Sequence, residues 1–234
     1  MMEKDKELLP EDGDKTGHRK RLKARFMKAP SRTLPDYEIL EMVLFLVVLR
    51  KDTKPLAKEL LKKFGSLKRI LTADSNDLKS VKGAGESVKF ICKLLADLFS
   101  RLYLPIEKKV NVLSNWTAVV NYCMLTMGGE KKEYCRALYL DKRNALITDE
   151  VLQSGTVDGV MIYPREVAKQ CLIHGATAVI LVHNHPSGQA EPSKEDLDMT
   201  KELETVLKAV NIVLHDHIIV VEDGYFSFNQ AGLL

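Results

Sequence analysis

No stretch of this 234-residue chain is apolar for the roughly 18–20 residues that a membrane span requires. The longest run, Met42 to Leu49, is far too short. The opening residues, MMEKDKELLPEDGDK, have no apolar core, which argues against a secretory signal. There are only four cysteines, Cys92, Cys123, Cys135 and Cys171, and no CxxC pair. A disulfide frame is thereby excluded, and reduced thiols in a cytoplasmic protein are expected. No internal repeat is visible. What is present is ordinary for a globular protein of one or two domains, with 45% hydrophobic and 29% charged residues.

Net charge is a modest +3, but it is unevenly spread. Residues 1–110 hold 25 Lys and Arg against 16 Asp and Glu, a net of +9. Residues 111–234 hold 10 against 16, a net of −6. A basic half joined to an acidic half predicts two domains with different jobs. The basic half suits nucleic acid, and it equally suits a solvated lysine-rich helical surface.

Residues 1–16 are charged and aperiodic, and read as a disordered lead-in. Residues 17–105 read as an all-helical domain. A basic helical segment runs from Gly17 to Phe26. Asp36 is placed to cap a helix carrying Leu40, Val43, Leu44, Val47 and Val48. Asp52-Thr53-Lys54-Pro55 starts another, with Gly65 as its stop. Short helices follow at residues 67–72 and 75–81. Lys82-Gly83-Ala84-Gly85 then separates them from a helix over residues 86–102. Helix, Gly-x-Gly turn, helix is the shape of a helix-hairpin-helix. Gly83 and Gly85 are candidate contacts to a DNA phosphate through backbone N–H groups, although a plain tight turn explains them equally well. Residues 105–109 read as the linker.

From residue 106 onward the pattern mixes strands and helices, predicting an α/β or α+β domain with a curved, mixed sheet. An amphipathic helix ends at Gly128-Gly129. Strands are expected at residues 134–140, 145–152, 157–161, 176–182, 212–221 and 225–228. Helices are expected from Pro164 to His174 and from Ser193 to Val210.

The strand over residues 176–182 ends in His183-Asn184-His185-Pro186. Strand side chains repeat every two residues, so both imidazoles point the same way. Asp196, eleven residues after His185, can fold back onto that face. Two nitrogens and one carboxylate oxygen are the protein ligands of a catalytic zinc, one ion per chain, with the fourth position left to water. Ser193 and Asp196 also form S-x-x-D at a helix start, close to a capping box. Capping explains that pair without a metal, but it leaves two histidines and a proline breaking a buried strand unexplained.

His183-x-His185, seven residues, Ser193, two residues and Asp196 make the H-x-H-x7-S-x2-D signature of JAMM/MPN-type metalloproteins. Pro164-Arg165-Glu166-Val167, HNHPSG, EPSKED and Asp216-His217-Ile218-Ile219 resemble the bacterial RadC proteins. So do Gly17-His18-Arg19, Leu34 to Glu38 and Arg50 to Ala57. Tyr163 stands where many relatives carry His, at a position that supplies no ligand. The resemblance implies an MPN/JAMM-type domain over residues 106–234, after a helix-hairpin-helix-like domain. It implies a zinc-dependent hydrolase of metallopeptidase type, attacking a peptide, isopeptide or other amide bond with a zinc-activated water. Glu133 is then the general base, with Glu150 as the fallback, and Ser193 stabilises the oxyanion. The expected partner is a protein or other amide-containing substrate, with no membrane. The alternatives are a DNA-binding protein of repair or recombination that uses the N-terminal domain, and a non-catalytic interaction module. His217 is expected to pack near the site in support, His174 to end a helix, and His18 to have no partner.

Overall fold

The computed structural model describes residues 15–30, 33–49, 51–104, 111–154 and 162–234. Residues 1–14 of the lead-in expected over 1–16, the linker at residues 105–109 and the strand expected at residues 157–161 lie outside them; Lys15 and Thr16 already belong to the first helix. By compactness the chain divides into Met1–Ile70 with Ser75–Ile91, and Leu71–Asp74 with Cys92–Leu234.

The first unit is helical: α1 (Lys15–Lys28), α2 (Asp36–Leu44), α3 (Lys54–Phe64), most of α4 (Leu67–Thr72), α5 (Ser75–Lys79) and the start of α6 (Glu86–Tyr103). Leu40, Leu44, Leu60, Ile70, Leu78 and Val88 close its core. Two side chains of α1 are engaged by α2. Arg25 pairs with Glu38, and His18 Nε2 lies 2.9 Å from Glu41 Oε1, so His18 does have a partner. Asp36 is the first helical residue of α2 rather than its cap; Pro35 holds the cap position, with no side-chain cap bond. The helix also stops at Leu44, short of Val47 and Val48. Residues 45–47 form a turn, and Arg19 Nη2 donates to the Val48 carbonyl at 2.6 Å, satisfying a group that a longer helix would have used. Gly83 has φ +97°, a conformation that L side chains rarely adopt, so the backbone itself explains this glycine.

The second unit is built on a five-stranded mixed sheet in the order β2-β1-β3-β4-β5. Its strands are β1 (Tyr134–Leu140), β2 (Leu146–Ser154), β3 (Ala178–Asn184), β4 (Val213–Val221) and β5 (Gly224–Ser227). The β1–β2 turn closes with Asn144 N donating to Asp141 O at 2.8 Å. β3 is the middle strand, antiparallel to β1 and parallel to β4. One sheet face packs on α7 (Trp116–Met127), burying Val119, Cys123 and Met127 against Leu138, Ile180, Val182 and Ile218. The other carries α8 (Pro164–Ile173) and α9 (Lys194–Ala209), burying Val167, Leu203 and Leu207 against Ala137, Val179 and Leu181. With helices on both faces, β3 has no solvent side, and all seven of its residues are buried. A continuous apolar run is therefore what this position demands. Each large aliphatic buried there contributes about 1.5–3 kcal/mol. This is an α+β fold with its sheet in the C-terminal part.

Gly128 ends α7 where a Cβ would meet the Met124 and Val221 carbonyl oxygens at 2.7 Å, so only glycine permits that approach to β4. All four cysteines are buried thiols without a disulfide. No helix among the described residues is long and apolar enough to cross a membrane.

Candidate metal centre

The apolar run that builds β3 carries the chain to the sheet's edge and ends in His183-Asn184. His185 follows, held by its N–H on the Val220 carbonyl of β4 at 3.0 Å. A loop then leads to Ser193, the N-cap of α9. Ser193 and Asp196 do form a capping box: Asp196 N donates to Ser193 Oγ at 3.0 Å, and Ser193 N donates to Asp196 Oδ2 at 2.8 Å. The Ser193 hydroxyl also donates to Asp196 Oδ2, at 2.6 Å. The cap fixes the Asp196 carboxylate, which faces both imidazoles. Oδ1 lies 3.2 Å from His183 Nε2, and Oδ2 lies 3.5 Å from His185 Nε2. The two Nε2 atoms are 2.9 Å apart. His183, His185 and Asp196 thus offer ligand atoms all within 4.8 Å of one another.

The donor set fits a divalent cation. His185 Nδ1 sits 2.9 Å from the Gln189 carbonyl, an acceptor only, so Nδ1 carries the proton and neutral His185 presents a bare Nε2 to the centre. Two ring nitrogens and a carboxylate converging on one point without a lysine or arginine among them suit zinc, which favours such ligands. Without a cation the cluster leans on protons. Burial would raise the Asp196 carboxyl, but hydrogen bonds from His183, His185 and Ser193 outweigh it and hold it well below the usual carboxylate range. The bond to Asp196 raises His185 above the ordinary imidazole value against the effect of burial, and the Glu133 charge adds to it.

A second layer supports these groups. His183 Nδ1 is 2.7 Å from His217 Nε2, and His217 Nδ1 is 2.6 Å from Thr200 Oγ1. His217 is fully buried, which pushes its pKa well below the ordinary value. Its ring stacks on Phe228 at 4.6 Å between centroids. Asn184, between the two histidines, accepts from Tyr134 N at 2.8 Å and donates to the Glu130 and Lys132 carbonyls at 3.3 and 2.9 Å. It ties the residues just before β1 to the end of β3. Thr200 and Asn184 are the residues that sequence reasoning passed over in these roles. Thr200 lies one helical turn beyond Asp196, a spacing that puts both on one face.

Glu133 immediately precedes β1, whose Cys135 pairs with His183 across the antiparallel ladder. The ladder ends at that pair, and the charge of Glu133 is felt at His185. Glu150 lies on β2 opposite Ala137, with its Oε1 2.9 Å from His174 Nε2. His174 does end α8, and its ring also stands 4.8 Å from that of Tyr139. Tyr163 is the N-cap of α8, about half exposed, with Arg165 over its ring. Gly83 and Gly85 belong to the first unit, away from these residues in the chain. A Cβ on Gly85 would meet nothing within 4 Å.

Residues 113–233, more than half of the chain, match the family model of the RadC-like JAB domain.

Proposed function

Because the chain belongs to the RadC-like JAB domain family, we propose that it is a zinc-dependent hydrolase attacking a peptide, isopeptide or other amide bond. The single observation that carries this is the convergence of His183 Nε2, His185 Nε2 and one Asp196 carboxylate on a common point. These three residues would hold the ion. Zinc, when bound, acts as a Lewis acid and lowers the pKa of a coordinated water toward about 7. Glu133, at the head of β1, takes the water proton on its carboxylate and hands it to the leaving amine. Ser193 donates to the oxyanion of the tetrahedral intermediate, which requires its hydroxyl to turn away from Asp196 Oδ2. The loop at residues 186–189, next to these groups in the chain, is exposed. Cytoplasmic residence is part of the proposal and accords with four thiols buried without disulfides.

The test is metal content. Protein purified without chelators is expected to hold one zinc per chain, and the His183→Ala, His185→Ala double variant essentially none. A wild type without zinc under those conditions sinks the proposal.

A second reading, DNA association through the N-terminal helices, is supported by the open start of α6 at Gly85 and by the exposed Lys79 and Lys82, on α5 and in the turn that follows it. Against it, Glu86 at the same helix start pairs with Lys79 at 2.9 Å. If phosphates carry the binding, affinity of the whole chain for duplex DNA falls linearly on a log–log plot against salt, with a slope of about −0.9 per phosphate contacted. A flat dependence in a fluorescence-anisotropy titration rules this reading out.

A further inference from the structure

We propose that His217 and Thr200 are positioning residues that dictate which ring nitrogen His183 presents to the metal. The inference rests on the zinc reading of the centre, and it concerns residues that hold no ligand atom themselves.

Four hydrogen-bonding groups form one line. Thr200 Oγ1 lies 2.6 Å from the Asp196 backbone carbonyl and 2.6 Å from His217 Nδ1. His217 Nε2 lies 2.7 Å from His183 Nδ1. His183 Nε2 faces His185 and Asp196. The polarity of this line follows from counting protons. A carbonyl oxygen can only accept, so the single hydroxyl proton of Thr200 is committed to Asp196 O. Toward His217 the hydroxyl oxygen must then accept, so His217 Nδ1 carries a proton. His217 is wholly buried, and the neighbouring carboxylate, Asp216, accepts from Ser227 Oγ, Asn229 N and the His217 backbone N–H rather than from the ring. A buried, neutral imidazole has one proton, so His217 Nε2 is bare and accepts from His183 Nδ1. In its neutral form, the one a cation requires, His183 is left with the Nε2 lone pair directed into the centre.

The reverse polarity, with Thr200 donating to His217, would place a proton on His183 Nε2, where the cation belongs. The Asp196 backbone carbonyl selects against it. Asp196 therefore acts twice: its carboxylate offers a ligand oxygen, and its carbonyl, through Thr200 and His217, readies a second ligand. Stacking of His217 on Phe228 keeps the ring in the plane that this line requires.

Two measurements decide the matter. In wild-type protein stripped of metal with a chelator, nitrogen NMR of 15N-labelled histidine is expected to show His183 and His217 both protonated at Nδ1. Finding His217 protonated at Nε2, or His183 without a proton at Nδ1, overturns the proposal. Zinc affinity is then read by competition with a chromophoric chelator. Thr200→Val, which keeps shape and loses the hydroxyl, is expected to weaken zinc binding about 10–100-fold, the usual penalty for losing such an outer partner. Thr200→Ser is expected to bind as wild type does. Equal affinity in all three, or equal loss in both variants, overturns it. A circular dichroism melt confirms that each variant is folded, and the tautomer measurement needs no variant. Should the wild type take up no zinc at all, the hydrolase reading falls, while the tautomers of the metal-free protein still decide this one.

Discussion

Exchanging Glu133 for Gln is expected to lower turnover by roughly 10²–10⁴-fold, the usual worth of a positioned acid–base group, while zinc content stays at the wild-type level. Glutamine keeps the size and most of the hydrogen bonding of glutamate but cannot accept the proton that becomes a leaving-group proton. Glu133 contributes none of the three converging ligand atoms, so the ion has no reason to leave. Glu150 supplies the contrast. Its carboxylate is engaged by His174, and its strand is separated from β3 by the whole width of β1. Glu150→Gln should therefore leave turnover within about two-fold of wild type, well inside the effect of removing an acid–base group. A substrate for the assay can be captured with the Glu133→Gln protein itself, which binds without releasing product. If Glu133→Gln turns over as fast as wild type, Glu133 is not the base. If zinc is lost along with activity, its role is in holding the ion.

Asn184→Ala is expected to cost about 2–4 kcal/mol of stability and to depress turnover with zinc still bound. Asn184 is almost wholly buried and its side chain spans three backbone groups, Tyr134 N and the Glu130 and Lys132 carbonyls. Leaving a buried donor or acceptor unpaired costs about 1–3 kcal/mol, and the two carbonyls near the start of β1 can recover part of this from water. Glu133 lies between two of these anchors, so its carboxylate loses its aim when they go. Asn184→Asp offers no rescue, because it turns a carboxylate toward two carbonyl oxygens. Chemical denaturation gives the stability change, and an unchanged midpoint would show that the three bonds are not what holds this segment.

Local pattern carried most of the second unit. The apolar run of β3, the caps of α9 and the period-two placement of His183 and His185 are written in consecutive residues, and the ends of β1, α9 and β4 fall within two residues of expectation. Asp196 was also legible, since it lies close enough in the chain for a short loop to return it. Glu133 was not, because its neighbourhood with His185 is created by pairing two strands some fifty residues apart; only the family resemblance pointed to it. His217 depends in the same way on the parallel pairing of β4 with β3. Thr200 carries no mark of its own in an amphipathic helix. Nothing in the neighbouring residues marks Asn184 as a tie, because its partners lie 50 to 54 residues upstream. In the first unit the apolar spacing through Val47 and Val48 overran the real end of α2, because a tertiary contact from Arg19 replaced the continuing helix.

The placement of β3 has a consequence for the order in which the protein opens. Paired on both edges and buried along its whole length, the strand should hold the most slowly exchanging amides of the second unit. The loop that follows, exposed from Pro186 to Gln189, should exchange orders of magnitude faster. The steep step in local opening energy therefore falls just after His185, whose N–H is still tied to Val220 of β4. Movement of the loop on the fast side of that step would leave His183 and His185 in place on the slow side.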